Sequence, residues 1–126
     1  RTLGEELLEV HRSYLAELRA LRPSMKGAAH ITGGGIPGNL KRILPKGLGA
    51  QVDLNSWSVP PLFRFLKEAG EIPEDDLYLA FNMGIGLIVV VPEAKLAEAE
   101  SLCPDGIPLG RILPGEGVDL KGTPQW

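Results

Sequence analysis

The run His30-Ile31-Thr32-Gly33-Gly34-Gly35 places a titratable ring, a hydroxyl and three residues without side chains in six positions. That mixture suits an anion. Glycines let backbone N–H groups approach a ligand with no Cβ in the way. Thr32 offers a hydroxyl, His30 a ring donor, and Asn39 an amide one turn further on. If the run joins a strand to a helix, unpaired N–H groups and the positive end of the helix dipole converge on the same spot. The same glycines also serve a tight turn that needs only positive φ angles and binds nothing. From these residues alone both readings stand.

Two phosphate motifs can be tested here. The P-loop fails, because Asn39-Leu40 stand where Lys and Ser or Thr are required. The dinucleotide pattern G-x-G-x-x-G is met by Gly33, Gly35 and Gly38, with Asp53 near the place of a ribose-binding acid. This makes a stand-alone nucleotide or dinucleotide-binding module the alternative function. Against it stand Pro37 between the second and third glycines and the short helix that follows. A second cluster, Asn82-Met83-Gly84-Ile85-Gly86, lets another backbone or a ligand come close through Asn82, Gly84 and Gly86. Trp57 beside Pro60 and Pro61 reads as cleft wall or as plain packing, and His11 as the flank of a solvated helix. No Ser-His-Asp order appears, and Cys103 has no base near it in sequence. His30 is the one candidate for proton handling. Glu74, Asp75 and Asp76 complement a helix N-terminus and carry no chemistry.

The elements that position these residues follow from periodicity. Thr2 and Glu5 form a capping box, and Leu3, Leu7, Val10, Tyr14, Leu18 and Leu21 recur on one face, predicting a helix from Leu3 to Leu21. Ala28 to Thr32 predicts a buried strand, Ile36 to Leu44 a helix with Pro37 in its first turn, and Leu48 to Leu54 a strand. Ser58 is expected to cap a helix ending near Gly70, with Leu62, Phe65, Leu66 and Ala69 as its buried face. Pro73 to Phe81 predicts a short helix. The apolar, β-branched stretch Gly84 to Val91 predicts a central strand buried on both faces. Pro92 opens a helix with Leu96, Ala99 and Cys103 inward, and the tail from Ile107 to Leu120 supplies one or two strands. The fold class is α/β (α+β), a mixed sheet flanked by helices, in one domain over residues 1–126.

Composition sets the limits. The 126 residues are 44% hydrophobic and 23% charged, with a formal net charge of -3. About 65% of the unfolded surface of a chain this size is buried on folding, so no disulfide or metal staple is needed. The charge leaves no positive field for nucleic acid or anionic membrane. One cysteine and two histidines are too few for a zinc site, so no metal is expected here and a reduced, cytoplasmic setting is. No apolar run approaches the roughly eighteen residues of a membrane span. The chain opens at Arg1 without methionine and reads as a piece of a longer protein.

Taken in order, Lys26-Gly27-Ala28-Ala29-His30-Ile31-Thr32-Gly33-Gly34-Gly35, Leu44-Pro45-Lys46-Gly47-Leu48-Gly49-Ala50, Ser56-Trp57-Ser58-Val59-Pro60-Pro61-Leu62-Phe63-Arg64-Phe65-Leu66, Phe81-Asn82-Met83-Gly84-Ile85-Gly86 and Gly115-Glu116-Gly117-Val118 resemble successive blocks of phosphoribosylformylglycinamidine cyclo-ligase, the aminoimidazole ribonucleotide synthetase of purine synthesis. The resemblance spans nearly the whole chain and covers only the C-terminal half of that family. It implies an ATP-dependent ligase that closes the imidazole ring of formylglycinamidine ribonucleotide, with ATP and magnesium held mostly by an N-terminal half. It also implies a homodimer for the full-length enzyme, and no activity for this half alone. His30, Thr32, Gly33, Gly34 and Gly35 match the family's glycine-rich active-site loop, with Asn39 beside it as a further phosphate ligand; Asn82, Gly84 and Gly86 match its second motif, lining the cleft. Val10-His11-Arg12-Ser13-Tyr14 departs from the family's usual Pro-Thr-Arg-Ile-Tyr and corresponds only at Arg12 and Tyr14.

Overall fold

The computed structural model describes residues 1–126. Its N-terminal capping box forms, with the Glu5 N–H donating to the Thr2 hydroxyl at 3.2 Å and the Thr2 N–H to the Glu5 carboxylate at 2.7 Å. The helix it starts is short. α1 covers Leu3–Leu7, and helix resumes only at α2, Leu15–Leu21. The expected continuous helix is therefore broken over residues 8–14. Val10, His11 and Ser13 are weak helix formers, and the apolar face that would have supported the helix has nothing beneath it: Leu7 is 59% and Val10 88% exposed.

β1, Gly27–His30, leads through the glycine run into α3, Gly35–Ile43. Pro37 sits in the first turn of α3, Ile36 and Leu40 face the core at 0% and 2% exposure, and Leu44, held extended by the following Pro45, ends the helix. β2, Leu48–Asp53, runs into a single 3-10 turn at Leu54–Ser56. α4, Pro61–Ala69, and α5, Glu74–Ala80, follow. Ser58 does not cap α4. Pro60 occupies that position, while Ser58 bridges to Gln125. The half-buried face of α4 is Leu62, Phe63, Leu66 and Lys67, and Phe65 and Ala69 are exposed. β3, Leu87–Val90, precedes a 3-10 turn at Glu93–Lys95 that runs into α6, Leu96–Leu102, and β4, Gly110–Pro114, and β5, Val118–Lys121, close the chain.

The strands make two sheets. β1 and β3 pair antiparallel, His30 opposite Leu87 and Gly27 opposite Val90. β2 lies between β4, antiparallel, and β5, parallel. The architecture is the α/β class expected, with helices flanking mixed pairing, but the central strand is β2. β3 has one strand neighbour, and all four of its residues are half-buried. Its continuous apolar run has a different cause: residues from both of its faces line an open groove. α3 packs on β1, α5 and β5, so the helix that carries the glycine run at its N-terminus also ties the two sheets together. Ile36, Leu77 and Met83, each at 0% exposure, form the centre of the core.

Candidate functional site

Gly34 and Gly35 adopt φ of 98° and 63°, a left-handed step that turns β1 into α3. They need glycine for different reasons. A Cβ on Gly35 would collide with the Tyr78 carbonyl of α5, so Gly35 is a point of close packing between helices. Gly33 has open space where its Cβ would be. The loop faces solvent there: His30, Thr32 and Gly33 are exposed. The N–H groups of Gly33 and Gly34 donate to no acceptor in the chain. Free donors at the start of a nine-residue helix are the arrangement that attracts an anion.

Asn39 is 5% exposed and turned inward. Its Nδ2 donates to the carbonyls of Thr32, Gly33 and Gly35 at 3.1, 3.3 and 2.8 Å. Its Oδ1 accepts from the Thr32 hydroxyl and from Arg42, both at 3.3 Å. No donor of this amide is left for a ligand.

The second glycine cluster lies against the first. The Ile31 N–H donates to the Gly86 carbonyl at 2.9 Å, and the Phe81 carbonyl backs Gly35. Asn82 Oδ1 accepts from the Gly84 N–H at 2.8 Å, closing a turn in which Met83 and Gly84 both have positive φ, 55° and 96°. Trp57 pins that turn by donating Nε1–H to the Met83 carbonyl at 2.9 Å, and Pro60 fills the space where a Gly84 Cβ would be. Trp57 is thus both packing and clamp. Gly86 is glycine because the Tyr14 hydroxyl occupies its Cβ position.

His11 was not legible from sequence as part of this site. The broken helix lets the chain cross the end of β1, where the His11 ring stands edge-on to His30, centroids 5.3 Å apart, and 6.2 Å from Tyr14. Arg12 lies over the Tyr14 ring at 5.3 Å and bonds Glu17 at 2.6 Å. That ion pair holds the Glu17 carboxyl below its ordinary range and the Arg12 guanidinium above. The only hint in the sequence was a run of poor helix formers, which periodicity overrode.

The dinucleotide pattern loses its scaffold. β1 and β2 belong to different sheets, so Gly33, Gly35 and Gly38 sit in no βαβ unit, and Asp53 caps the 3-10 turn by accepting from the Asn55 N–H at 2.9 Å. No group of three or more His, Cys, Asp or Glu side chains lies together to hold a metal ion. No helix is long and apolar enough to cross a membrane. A groove of about 1110 Å³ opens between α2, β3, α6 and β4, lined mainly by apolar side chains such as Val89, Leu96 and Leu113.

The family described as AIR synthase related protein, C-terminal domain, matches residues 1–121. The chain belongs to that family. It is 44% identical over 128 residues to the phosphoribosylformylglycinamidine cyclo-ligase of Shouchella clausii, with 97% of this chain and 37% of that protein covered. The Bacillus subtilis protein of the same name is also 44% identical, over 98% of this chain and 37% of its own length. The chain therefore spans little more than a third of the curated relatives it matches. Among solved structures, Escherichia coli HypE, a hydrogenase maturation protein, superposes with a TM-score of 0.64 at 18% identity, covering 94% of this chain and 40% of that one. The tt0281 protein of Thermus thermophilus gives 0.56 at 28% identity over 86% and 36%. The first of these is a likeness of fold alone.

Proposed function

We propose that this chain is the C-terminal part of a phosphoribosylformylglycinamidine cyclo-ligase and that its glycine loop receives the phosphate of the ribonucleotide substrate. The observation that carries the loop reading is the pair of unengaged N–H groups of Gly33 and Gly34 at the start of α3, with His30 and the Thr32 hydroxyl beside them. In the reaction the amidine nitrogen bonds to the formyl carbon, and the formyl oxygen leaves in inorganic phosphate. ATP supplies the phosphoryl group. What this chain contributes is orientation: anchoring the phosphate fixes the far end of the substrate and lowers the entropic cost of ring closure. Asn82, Gly84 and Gly86 shape the wall beside it. His30, with His11 against it, is the group within this site able to carry a proton.

In the same reading the ATP and magnesium sites are assigned to the N-terminal portion that the family's full-length enzyme carries. That portion is also the partner proposed for the apolar groove. The chain exposes 8222 Å², against roughly 6,500 Å² for a compact monomer of its mass. The excess is about 1,700 Å², more than the roughly 800 Å² each partner buries in a stable interface. The reduced, cytoplasmic setting and the homodimer belong to the same reading.

The test is calorimetric titration of the chain with formylglycinamidine ribonucleotide, with Gly33→Asp as the control. That change adds a negative charge where a side chain has open space, so the fold is kept while a phosphate is repelled. Binding to the native chain that the variant loses supports the loop reading. Equal binding by both sinks it, and binding of NAD in place of the substrate revives the dinucleotide alternative. No cyclo-ligase turnover is expected from the chain alone.

A further inference from the structure

The peptide bonds of the glycine loop are trans, so each carbonyl and the N–H that follows it point to opposite edges of one plane. Asn39 Nδ2 gathers the carbonyls of Thr32, Gly33 and Gly35 to a single point inside the fold. The N–H groups of Gly33, Gly34 and Ile36 must then face the other way. The orientation of the Asn39 amide is itself determined, because its Oδ1 is anchored by the Thr32 hydroxyl and by Arg42. Reversing it would set an oxygen against three carbonyl oxygens. The glycines at 33 and 34 leave the peptides free to rotate; the Gly35 N–H also holds the Thr32 carbonyl at 3.0 Å, but the Gly33 carbonyl is held by the Asn39 amide alone.

We infer that Asn39 is the positioning residue of the loop: it binds no ligand, and by drawing three carbonyls inward it presents the N–H groups of Gly33 and Gly34 as the donors that meet the phosphate, while that of Ile36, in a fully buried residue, stays out of reach. The inference rests on the phosphate reading for its purpose but not for its geometry. Recognition is then made by backbone N–H groups, whose direction Asn39 sets.

Asn39→Asp is the informative change, since it keeps the shape and replaces the donor by an anionic oxygen facing three carbonyls. Burial and those dipoles push the carboxyl of the variant upward against the opposing pull of Arg42 at 3.3 Å, and its neutral form, which restores one donor, is regained on acidification to about pH 4. The experiment follows the amide signals of residues 32–36 in nitrogen-15-labelled chain, first alone and then with inorganic phosphate. At neutral pH the variant is expected to displace the Gly33 and Gly34 signals before any phosphate is added, and to bind phosphate at least about tenfold more weakly. Acidification returns those signals toward the positions that the native chain shows at the same pH, the native spectra serving as the reference because the His30 and His11 rings stand beside the loop. If the variant does not fold at neutral pH, the comparison is made at the acidic end. There Arg42→Ala, an exposed change that frees one anchor of Oδ1, moves the same signals by less. Loop signals unmoved in Asn39→Asp, or unchanged phosphate affinity, overturn the inference. A native chain whose signals ignore phosphate overturns the anion-site reading instead, and the ligand-free spectra still decide the role of Asn39.

Discussion

Tyr78 shows how one buried atom reports on packing at the site. Its backbone carbonyl meets Gly35, its side chain is buried in the core at 4% exposure, and its hydroxyl has no hydrogen-bond partner. An unmet hydroxyl in the interior costs about 1 to 3 kcal/mol. Burial, with Glu74 adding to it, pushes this phenol up to about 12. Because the folded state holds the proton more tightly than the unfolded chain, the contribution is fully present below pH 10 and is lost as pH rises through about 12. Tyr78→Phe should raise stability by about 1 kcal/mol at neutral pH, leave the backbone carbonyl that meets Gly35 in place, and flatten the alkaline limb of the unfolding curve. Denaturant unfolding at pH 7 and at high pH reads both effects, and a destabilised variant would mean that the hydroxyl has a partner.

Local signals were legible wherever a single segment supplied both its pattern and its burial. Thr2 and Glu5, Pro37 and Gly70 all mark the ends expected of them, and the strand-loop-helix unit around Gly33 to Gly35 lies where the pattern placed it. Failures arose where the decision belonged to a distant residue. Tyr14 seats on Gly86, far along the chain, and that contact helps draw residues 8–14 out of helix and bring His11 to His30. Asn39 read as a ligand because an amide near a glycine loop is a donor in sequence; only the folded loop shows which carbonyls take it. The same logic predicts that Gly86→Ala, which sets a methyl against the Tyr14 ring, costs about 1 to 3 kcal/mol and separates the two imidazoles. In a Tyr14→Ala background the same glycine change should cost much less. Equal costs in the two backgrounds would show that the 9–14 segment is held by something other than this seat.

At the scale of the whole molecule, the apolar residues around β3 form an open groove, the surface that the proposed N-terminal partner would cover. β3 was expected at the centre of a sheet because both of its faces are apolar; in fact residues from both line the groove, alongside Leu96 and Leu113, each at 38% exposure. Sequence periodicity cannot separate burial inside a chain from burial against another body, since both select the same side chains. If the N-terminal portion of the family covers the groove, polar substitutions there should be silent in the isolated chain and costly in the complex. Leu96→Glu and Leu113→Glu alter side chains that are 38% exposed, so the chain's own unfolding free energy should move by no more than about 1 kcal/mol per change. Mixed with the separately expressed N-terminal portion of the Bacillus subtilis relative, the native chain should associate and the double variant at least about tenfold less, the loss of two apolar anchors at roughly 1 kcal/mol each. Leu79→Glu, on an exposed side chain outside the groove, is the matched control. If Leu79→Glu weakens association as much as the double variant, or the double variant associates normally, the covering partner sits elsewhere on the chain.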